Sequence, residues 1–300
     1  MSELRFDGRV AIVTGAGRGI GRAYALLLAA RGASVVVNDL GGSISGDGSD
    51  AGPAAAVVDQ IVAAGGAAIA DASDVSTVEG AHALVDAAVE AFGPVDVVIA
   101  NAGIMRWAGV PEVDAEALDA HLAVHVGGSF HLVRAVWPSM ADRGYGRIVL
   151  TTSSGVFGLP NNLAYATAKG GVIGMVRSLS TAGRKAGIAV NAIAPGAFTR
   201  MAGPGEAAPE MSPDLVAPMV AYLAHEDCPV SGEIYTAGFG RFARLFIGST
   251  EGWVDDGGKP TPEDVADHWS EVNDESGYTV PADLPGWSKA FMSHLGPPKR

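Results

Sequence analysis

Arg9-Val-Ala-Ile-Val-Thr-Gly-Ala-Gly-Arg-Gly-Ile-Gly21 is the stretch whose reading decides the fold. It begins as a short β-branched run and ends by opening an Ala/Leu-rich helical pattern. Gly15, Gly17, Gly19 and Gly21 permit a tight turn between the two. They also let backbone N–H groups, with Arg18 and Ile20 between them, approach a pyrophosphate at the helix N-terminus. A glycine-rich turn alone can be purely structural. The strand before it and the helix after it favour the nucleotide reading.

Outward from this turn the pattern repeats. Apolar runs at Arg9–Val13, Ser34–Asn38, Ala67–Asp71, Val95–Ile99, Arg147–Thr151 and Ile188–Ile193, with a shorter one at Glu233–Ala237, read as strands. They are nearly continuous in apolar residues, as expected of a parallel sheet covered on both faces. Helical stretches lie between most of them, so a single doubly wound Rossmann-type α/β domain with seven parallel strands is expected over residues 1–248, its ligands at the carboxyl ends of the strands. Residues 249–300 turn to charged residues, Trp and Pro, and read as a C-terminal extension with one short helix near Pro262–Val272. Leu40–Pro53, rich in Gly, Ser and Asp, reads as a flexible loop. The Pro-rich segment 195–211 is long enough for a substrate loop or lid.

Composition excludes several classes. The formal charge is −13, from 20 basic and 33 acidic residues, which argues against nonspecific nucleic-acid binding. An anionic ligand must then be met by local cations. No apolar stretch reaches the roughly 18–20 residues of a membrane helix, and no apolar run follows a basic start at the N-terminus. The single cysteine, Cys228, excludes an intramolecular disulfide and a Cys-based zinc site. A cytoplasmic protein holding no metal is expected.

Further residues fit a dinucleotide. Asp39 lies 18 residues after Gly21, where an acidic side chain accepts from the adenosine ribose and repels a 2′-phosphate, favouring NAD over NADP. Arg18 pulls the other way, since a cation there receives a 2′-phosphate, but Asp39 sits where the discriminating atom must be. Asp74, with Val75, either meets the adenine edge or caps the helix beginning near Ser76. Asn101, Ala102 and Gly103 end the fourth strand with residues small enough for a cofactor to lie against.

Tyr165 and Lys169 are four apart in an apolar, small-residue helix read over Leu163–Arg184, so their side chains share a face one turn apart. A phenol of pKa about 10 is a poor acid or base at neutral pH. An ammonium beside it is expected to lower that value.

Together, Thr14–Gly21, Asp74, Asn101–Gly103, Ser153, Tyr165, Lys169 and Pro195-Gly196 resemble the short-chain dehydrogenase/reductase family over about residues 5–247. Gly21-Arg-Ala-Tyr-Ala-Leu26, Val35-Val-Val-Asn-Asp-Leu-Gly-Gly42, Gly183-Arg-Lys185, Pro195-Gly-Ala-Phe-Thr-Arg-Met201, Val216-Ala-Pro218 and Leu223-Ala-His-Glu226 are similar to the (3R)-hydroxyacyl-CoA dehydrogenase unit of peroxisomal multifunctional enzymes. No counterpart of their hydratase and sterol-carrier domains is read, so the resemblance implies a stand-alone unit. It implies hydride transfer between NAD(H) and a secondary alcohol or ketone. Tyr165 would be the acid/base, and Lys169 would lower its pKa and bond the nicotinamide ribose. Ser153 would polarise the substrate oxygen, and Thr199 would hold the carboxamide. Counting six residues from Arg147 gives Ser153, whereas thirteen back from Tyr165 gives Thr152. The strand count is preferred because register sets which side chain faces the cofactor, with Ser154 as fallback. His125 stands where the family usually has an Asn holding a helix bulge and a water chain to the Lys; the acyl-CoA branch also carries His. A neutral imidazole both accepts and donates, so a relay survives, while the plainer reading is a packed helix histidine. His121 and His131 read as spacing or surface residues. The helices His121–Met140 and Leu163–Arg184 imply a homodimer or homotetramer.

Three functions compete. The first is an NAD-dependent 3-hydroxyacyl-CoA dehydrogenase, with Phe198 and Met201 lining an acyl pocket and Arg200, Arg241 or Arg244 meeting CoA phosphates. The second is a dehydrogenase of a free steroid, terpenoid or other alcohol. Phe239, Phe242 and Phe246 serve either, or subunit contacts. The third is a nucleotide-binding regulator without turnover, which the intact Ser153, Tyr165 and Lys169 disfavour.

Overall fold

The computed structural model describes residues 3–203 and 208–295. The chain forms two compact units, one through Arg244 and one from Leu245. Residues 204–207 of the expected substrate loop lie outside the described residues.

In the first unit strands and helices alternate. The order is β1 (Val10–Thr14), α1 (Gly19–Ala30), β2 (Ser34–Asn38), α2 (Gly52–Ala63), β3 (Ala67–Asp71), α3 (Val78–Phe92), β4 (Val97–Ala100), α4 (Ala115–His121), α5 (Gly128–Arg143), β5 (Gly146–Thr151), α6 (Leu163–Gly183), β6 (Ile188–Gly196), α7 (Ala217–Ala224), β7 (Ile234–Gly238) and β8 (Arg241–Leu245). A π-helical turn, Leu122–Gly127, joins α4 to α5.

The strands form one sheet in the order β3-β2-β1-β4-β5-β6-β7-β8, and the pairings from β3 to β7 are parallel. Ile12 is in register with Val36 on one side and Val98 on the other. Because side chains alternate along a strand, Val13, Val35 and Ile99 pack with Tyr24, Leu28 and Ile61 of α1 and α2. The alternate residues Ile12, Val36, Val98 and Ile148 are equally buried and belong to the other face. On the helical layers, α1 packs with α2 and α7, and α3 packs with α5. Helix cover on both faces explains the unbroken apolar runs. Cutting Ile12 or Ile148 back to Ala would cost about 2–5 kcal/mol.

The sheet has eight strands, one more than expected. Strands β7 and β8 are joined by Phe239 and Gly240, both with positive φ (55° and 75°), the two-residue turn of a hairpin; so short a link joins only antiparallel strands. Arg241-Phe-Ala-Arg-Leu245 mixes cations with half-exposed side chains, so a reading tuned to continuous apolar runs passes over it.

The second unit holds α8 (Pro262–Asp267), α9 (Trp269–Val272) and α10 (Leu284–Phe291). The single helix expected over Pro262–Val272 is two, broken at His268. A capping box between Thr261 and Asp264 starts the first. The third helix was not expected, because Pro285 and Gly286 look like breakers; Pro285 stands in the first turn, where no intrahelical N–H is needed. Trp253 stacks on His268 with centroids 4.2 Å apart, and Phe246 on Tyr278 at 5.7 Å. Among the described residues, no helix is long and apolar enough to cross a membrane.

Candidate functional site

The carboxyl ends of β1, β2 and β4, with the loops that follow them, enclose a cavity of about 440 Å³, within the range of small-molecule sites. The glycine turn contributes Gly15 and Arg18 to Gly21, the β2 loop Asp39 to Ser43, the β3 loop Asp74 and Val75, and the β4 loop Asn101 to Ile104. Thr199 to Met201 and Val124 of the π turn line it as well. Pro195, Gly196 and Gly17 are not among its walls. Pro195 and Gly196 pair in register with Ala237 and Gly238, and Gly17 packs against Asp39.

The turn is held from β4. Thr14 Oγ1 accepts from the N–H groups of Asn101 and Ala102, each at 3.0 Å, while Asn101 Nδ2 donates to the carbonyls of Thr14 (3.0 Å) and Gly15 (3.2 Å). A Cβ on Gly21 would stand 2.2 Å from the Gly15 carbonyl oxygen, so only glycine lets α1 start this close to the turn. Both Asp39 oxygens are engaged: Oδ2 accepts from Gly17 N–H (2.8 Å) and Oδ1 from Gly41 N–H (2.7 Å). A carboxylate offers about four lone-pair sites, so Asp39 retains capacity for a ribose hydroxyl. Arg18 begins α1 with its guanidinium 4.0 Å from Asp50. Asp74 accepts from Ser76 through both N–H (2.9 Å) and O–H (2.7 Å), shaping the turn ahead of α3; Thr77 caps that helix.

The segment expected to be a flexible loop is held at many points. Met105 N–H donates to the Ile44 carbonyl (2.8 Å), Arg106 Nε to the Ser45 carbonyl (3.0 Å), and Arg200 to the Gly42 carbonyl. Arg200, read as a CoA-phosphate candidate, is therefore committed to the cavity wall, and Arg244 pairs with Glu233 at 2.7 Å.

At the other end, α6 brings Tyr165 and Lys169 onto one face, with Lys169 Nζ 5.7 Å from the Tyr165 ring centroid. Lys169 is 3% exposed and donates from Nζ to the Thr151 carbonyl at 2.7 Å. Of the three hydroxyl candidates, Ser153 accepts from Gly155 N–H (3.0 Å) and lies beside Tyr165: a Cβ on Gly155 would stand 3.2 Å from Ser153 Oγ and 3.4 Å from Tyr165 Cε1. Thr152 is wholly buried and donates to the Lys169 carbonyl (2.8 Å), and Ser154 is exposed.

The expected electrostatics are reversed in the protein alone. Burial raises the Tyr165 phenol above its ordinary range, the neighbouring Ser153 hydroxyl opposing this. Burial also pushes the Lys169 ammonium down to about 7. Desolvation penalises both charged forms, and it outweighs the help that an ammonium one turn away was expected to give.

Two histidines complete this end. His125 lies in the π turn, a device frequent at functional sites. Its Nε2 sits 2.9 Å from the Ile104 carbonyl and 3.3 Å from the Ile104 N–H, while its buried Nδ1 has no hydrogen-bond partner among the described residues. A Cβ on Gly103 would stand 2.5 Å from His125 Cε1, so the glycine makes room for the ring. His121, read as a spacing or surface residue, is 0% exposed. Its Nδ1 lies 2.6 Å from the Ala117 carbonyl, and its Nε2 accepts from Arg106 N–H at 3.2 Å, which fixes a neutral tautomer. The two imidazoles stack at 5.7 Å, and both present edges or faces to Tyr165, at 6.2 and 5.3 Å. Burial lowers both histidines, His125 well below its ordinary range, and Lys169 adds to the effect. Gly103 and Ile104 connect this cluster to the cavity.

A family model described as short chain dehydrogenase matches residues 9–207. The chain belongs to the short-chain dehydrogenase/reductase family of oxidoreductases. Within it, the chain is 42% identical over 276 residues to a short-chain type dehydrogenase/reductase of Mycobacterium tuberculosis, covering 91% of this chain and 96% of the relative. It is also 42% identical over 289 residues to the peroxisomal multifunctional enzyme type 2 of Mus musculus, covering 94% of this chain but 39% of that one. A crystal structure of a short chain dehydrogenase from Mycobacterium avium superposes with a TM-score of 0.79 at 36% identity, covering 90% of this chain and 98% of that one. Full-length peroxisomal multifunctional enzyme type 2 from Drosophila melanogaster gives 0.80 at 32%, covering 97% and 50%. This dehydrogenase-family chain thus spans half or less of those two multifunctional relatives. Arg106 carried no signal in the sequence, since a single Arg in a loop does not reveal what it touches, and the spacing of His121 four residues before His125 gave a neighbour but not its burial.

Proposed function

We propose that this chain transfers hydride between NAD(H) and a secondary alcohol or ketone, with 3-hydroxyacyl-CoA as the substrate class. The observation that carries the reading is Ser153 and Tyr165 meeting at Gly155 beside a buried Lys169, next to a cavity bounded by a glycine turn. The cavity's residues fit a nicotinamide dinucleotide. Gly15 to Gly21 present backbone N–H groups to its pyrophosphate, Asp39 accepts from the adenosine ribose, Asp74 and Val75 flank the adenine, and Asn101, Ala102 and Gly103 form a flat floor. Thr199 would hold the carboxamide. Bound there, the dinucleotide supplies or accepts the hydride.

The chain's own residues handle the proton. Tyr165 gives it to, or takes it from, the substrate oxygen, and Ser153 donates a hydrogen bond that fixes and polarises that oxygen. Lys169 spends one of its three donors on Thr151, leaving two for the cofactor ribose and the relay. Ribose hydroxyls accepting from Lys169 would offset its desolvation and favour the ammonium that in turn favours the Tyr165 phenolate. His125, neutral and with Nδ1 unspent, can pass a proton without acquiring lasting charge. The acyl-CoA class rests on the multifunctional enzymes' dehydrogenase unit, which the chain resembles from the glycine turn to Glu226. Assembly as a dimer or tetramer through the helices of residues 121–140 and 163–184 belongs to the same reading.

Turnover of a panel of 3-hydroxyacyl-CoAs and of free sterol and terpenoid alcohols, each with NAD and NADP, tests it through the absorbance of the reduced cofactor. Selective oxidation of the CoA thioesters with NAD is expected. Preference for free alcohols would overturn the substrate class, and preference for NADP would overturn the weight given to Asp39 over Arg18. No turnover with any of them would leave a nucleotide-binding protein without catalysis.

A further inference from the structure

Gly42 and Arg200 should be far apart. Gly42 follows β2 and Arg200 follows β6, and the order β2-β1-β4-β5-β6 separates those strands by four steps, about 19 Å at ~4.8 Å per step. Yet Arg200 donates from both Nη1 and Nη2 to the Gly42 carbonyl, each at 3.2 Å. The segments after β2 and β6 can meet only by crossing above the ends of β1, β4 and β5, where the glycine turn and Asn101 to Gly103 lie.

The β2 segment makes this crossing as a closed loop. Asp50 N–H donates to the Leu40 carbonyl (2.9 Å), and Ser43 N–H to the Asp47 carbonyl (2.8 Å). Midway it is fastened to the β4 loop through Ile44 and Met105, and through Ser45 and Arg106 Nε. A Cβ on Gly46 would stand 3.0 Å from Ile104 Cγ2, so the loop touches that wall. Among the described residues, and apart from the Met105 amide, both fastenings to the far side are guanidinium side chains on backbone carbonyls. Arg106 also has its own N–H on His121, so the loop and the histidine pair share one residue.

We propose that Arg106 and Arg200 are positioning residues for the cofactor, holding residues 40–50 across the dinucleotide so that it leaves only after both contacts open. The proposal rests on the nucleotide reading of the cavity. A hydrogen bond from a charged donor slows such opening about tenfold when its net worth is near that of one decade in equilibrium.

Stopped-flow displacement of NADH from the full chain tests it, with wild type, Arg106→Met, Arg200→Met, the double variant and the two Lys variants. Each Met variant should release NADH about tenfold faster, and the double variant faster still. The Lys variants should fall between, since an ammonium still reaches a carbonyl but without the fork. The cofactor KM should rise more than the kcat falls, the split expected if these residues retain cofactor rather than shape the reacting groups. Hydrogen exchange should quicken at residues 43–50 while β1 and β4 stay protected, which separates unfastening from misfolding. Release from the double variant no faster than from wild type, or unchanged exchange at 43–50, would overturn the proposal. If wild type binds neither NADH nor NADPH, the nucleotide reading itself falls, an outcome visible before any variant is made.

Discussion

Lys169 takes an ammonium into an almost fully buried site, and burial alone pushes it down to about 7. The unfolded chain keeps the ordinary lysine value, so between about pH 7 and the ordinary lysine range it binds more protons than the folded chain. Stability then rises with pH across that window. Lys169→Met removes the titration. The melting temperature of Lys169→Met minus that of wild type, measured without cofactor, is expected to be largest near pH 7 and to shrink towards pH 10. A difference independent of pH would show that Lys169 stays charged. Tyr165→Phe removes the proton carrier and leaves the ring edges against His121 and His125 in place. It should lower kcat/KM about 10²–10⁴-fold with unchanged circular dichroism. That Tyr165 and Lys169 share a face, with Ser153 beside them, was legible because helical spacing and strand register are local rules. His121 was not, because its burial comes from stacking on a ring that only the folded turn brings beneath it. The sign of the Tyr165 shift was equally hidden: spacing reveals a neighbour's charge but not how dry the site is.

At the level of elements, the π turn aims His125. Deleting Ala123 removes the turn's extra residue, and one residue of α-helix corresponds to about 100° of rotation. The His125 ring would swing off Ile104 and away from Tyr165. Turnover should be lost while helical content and NADH binding persist; full activity would show that His125 has no part in the reaction. The β7–β8 hairpin offers a cleaner energetic test. Gly240 has φ 75° and nothing within 4 Å of a Cβ placed on it, so Gly240→Ala registers backbone strain alone. A loss of about 1 kcal/mol is expected from urea unfolding. The parallel strands were legible because helices cover both their faces and leave only apolar positions. Strand β8 and helix α10 were not, since one carries arginines and the other starts with Pro285 and Gly286, residues that punctuate more often than they build.

At the level of the whole molecule, a chain of net charge −13 would meet an anionic ligand only through local donors, which on the proposed reading are the N–H groups of the glycine turn and Arg18. Among the described residues, all the cavity walls belong to residues 15–201. Removing residues 249–300 should therefore leave the NADH dissociation constant unchanged in a fluorescence titration, and a loss of affinity would assign the second unit a share in the site. The strand order that opens the cavity also governs how the chain comes together as it is made. β2 pairs with β1, β3 with β2, β4 returns to β1, and β5 to β8 each join the strand synthesised just before. Each strand after β1 finds on emergence a partner already made, while one edge of β1 stays open until β4 is produced. A sheet dominated by long-range parallel pairing, intrinsically slow to form and exposed while forming, is thus laid down edge by edge in the order of translation.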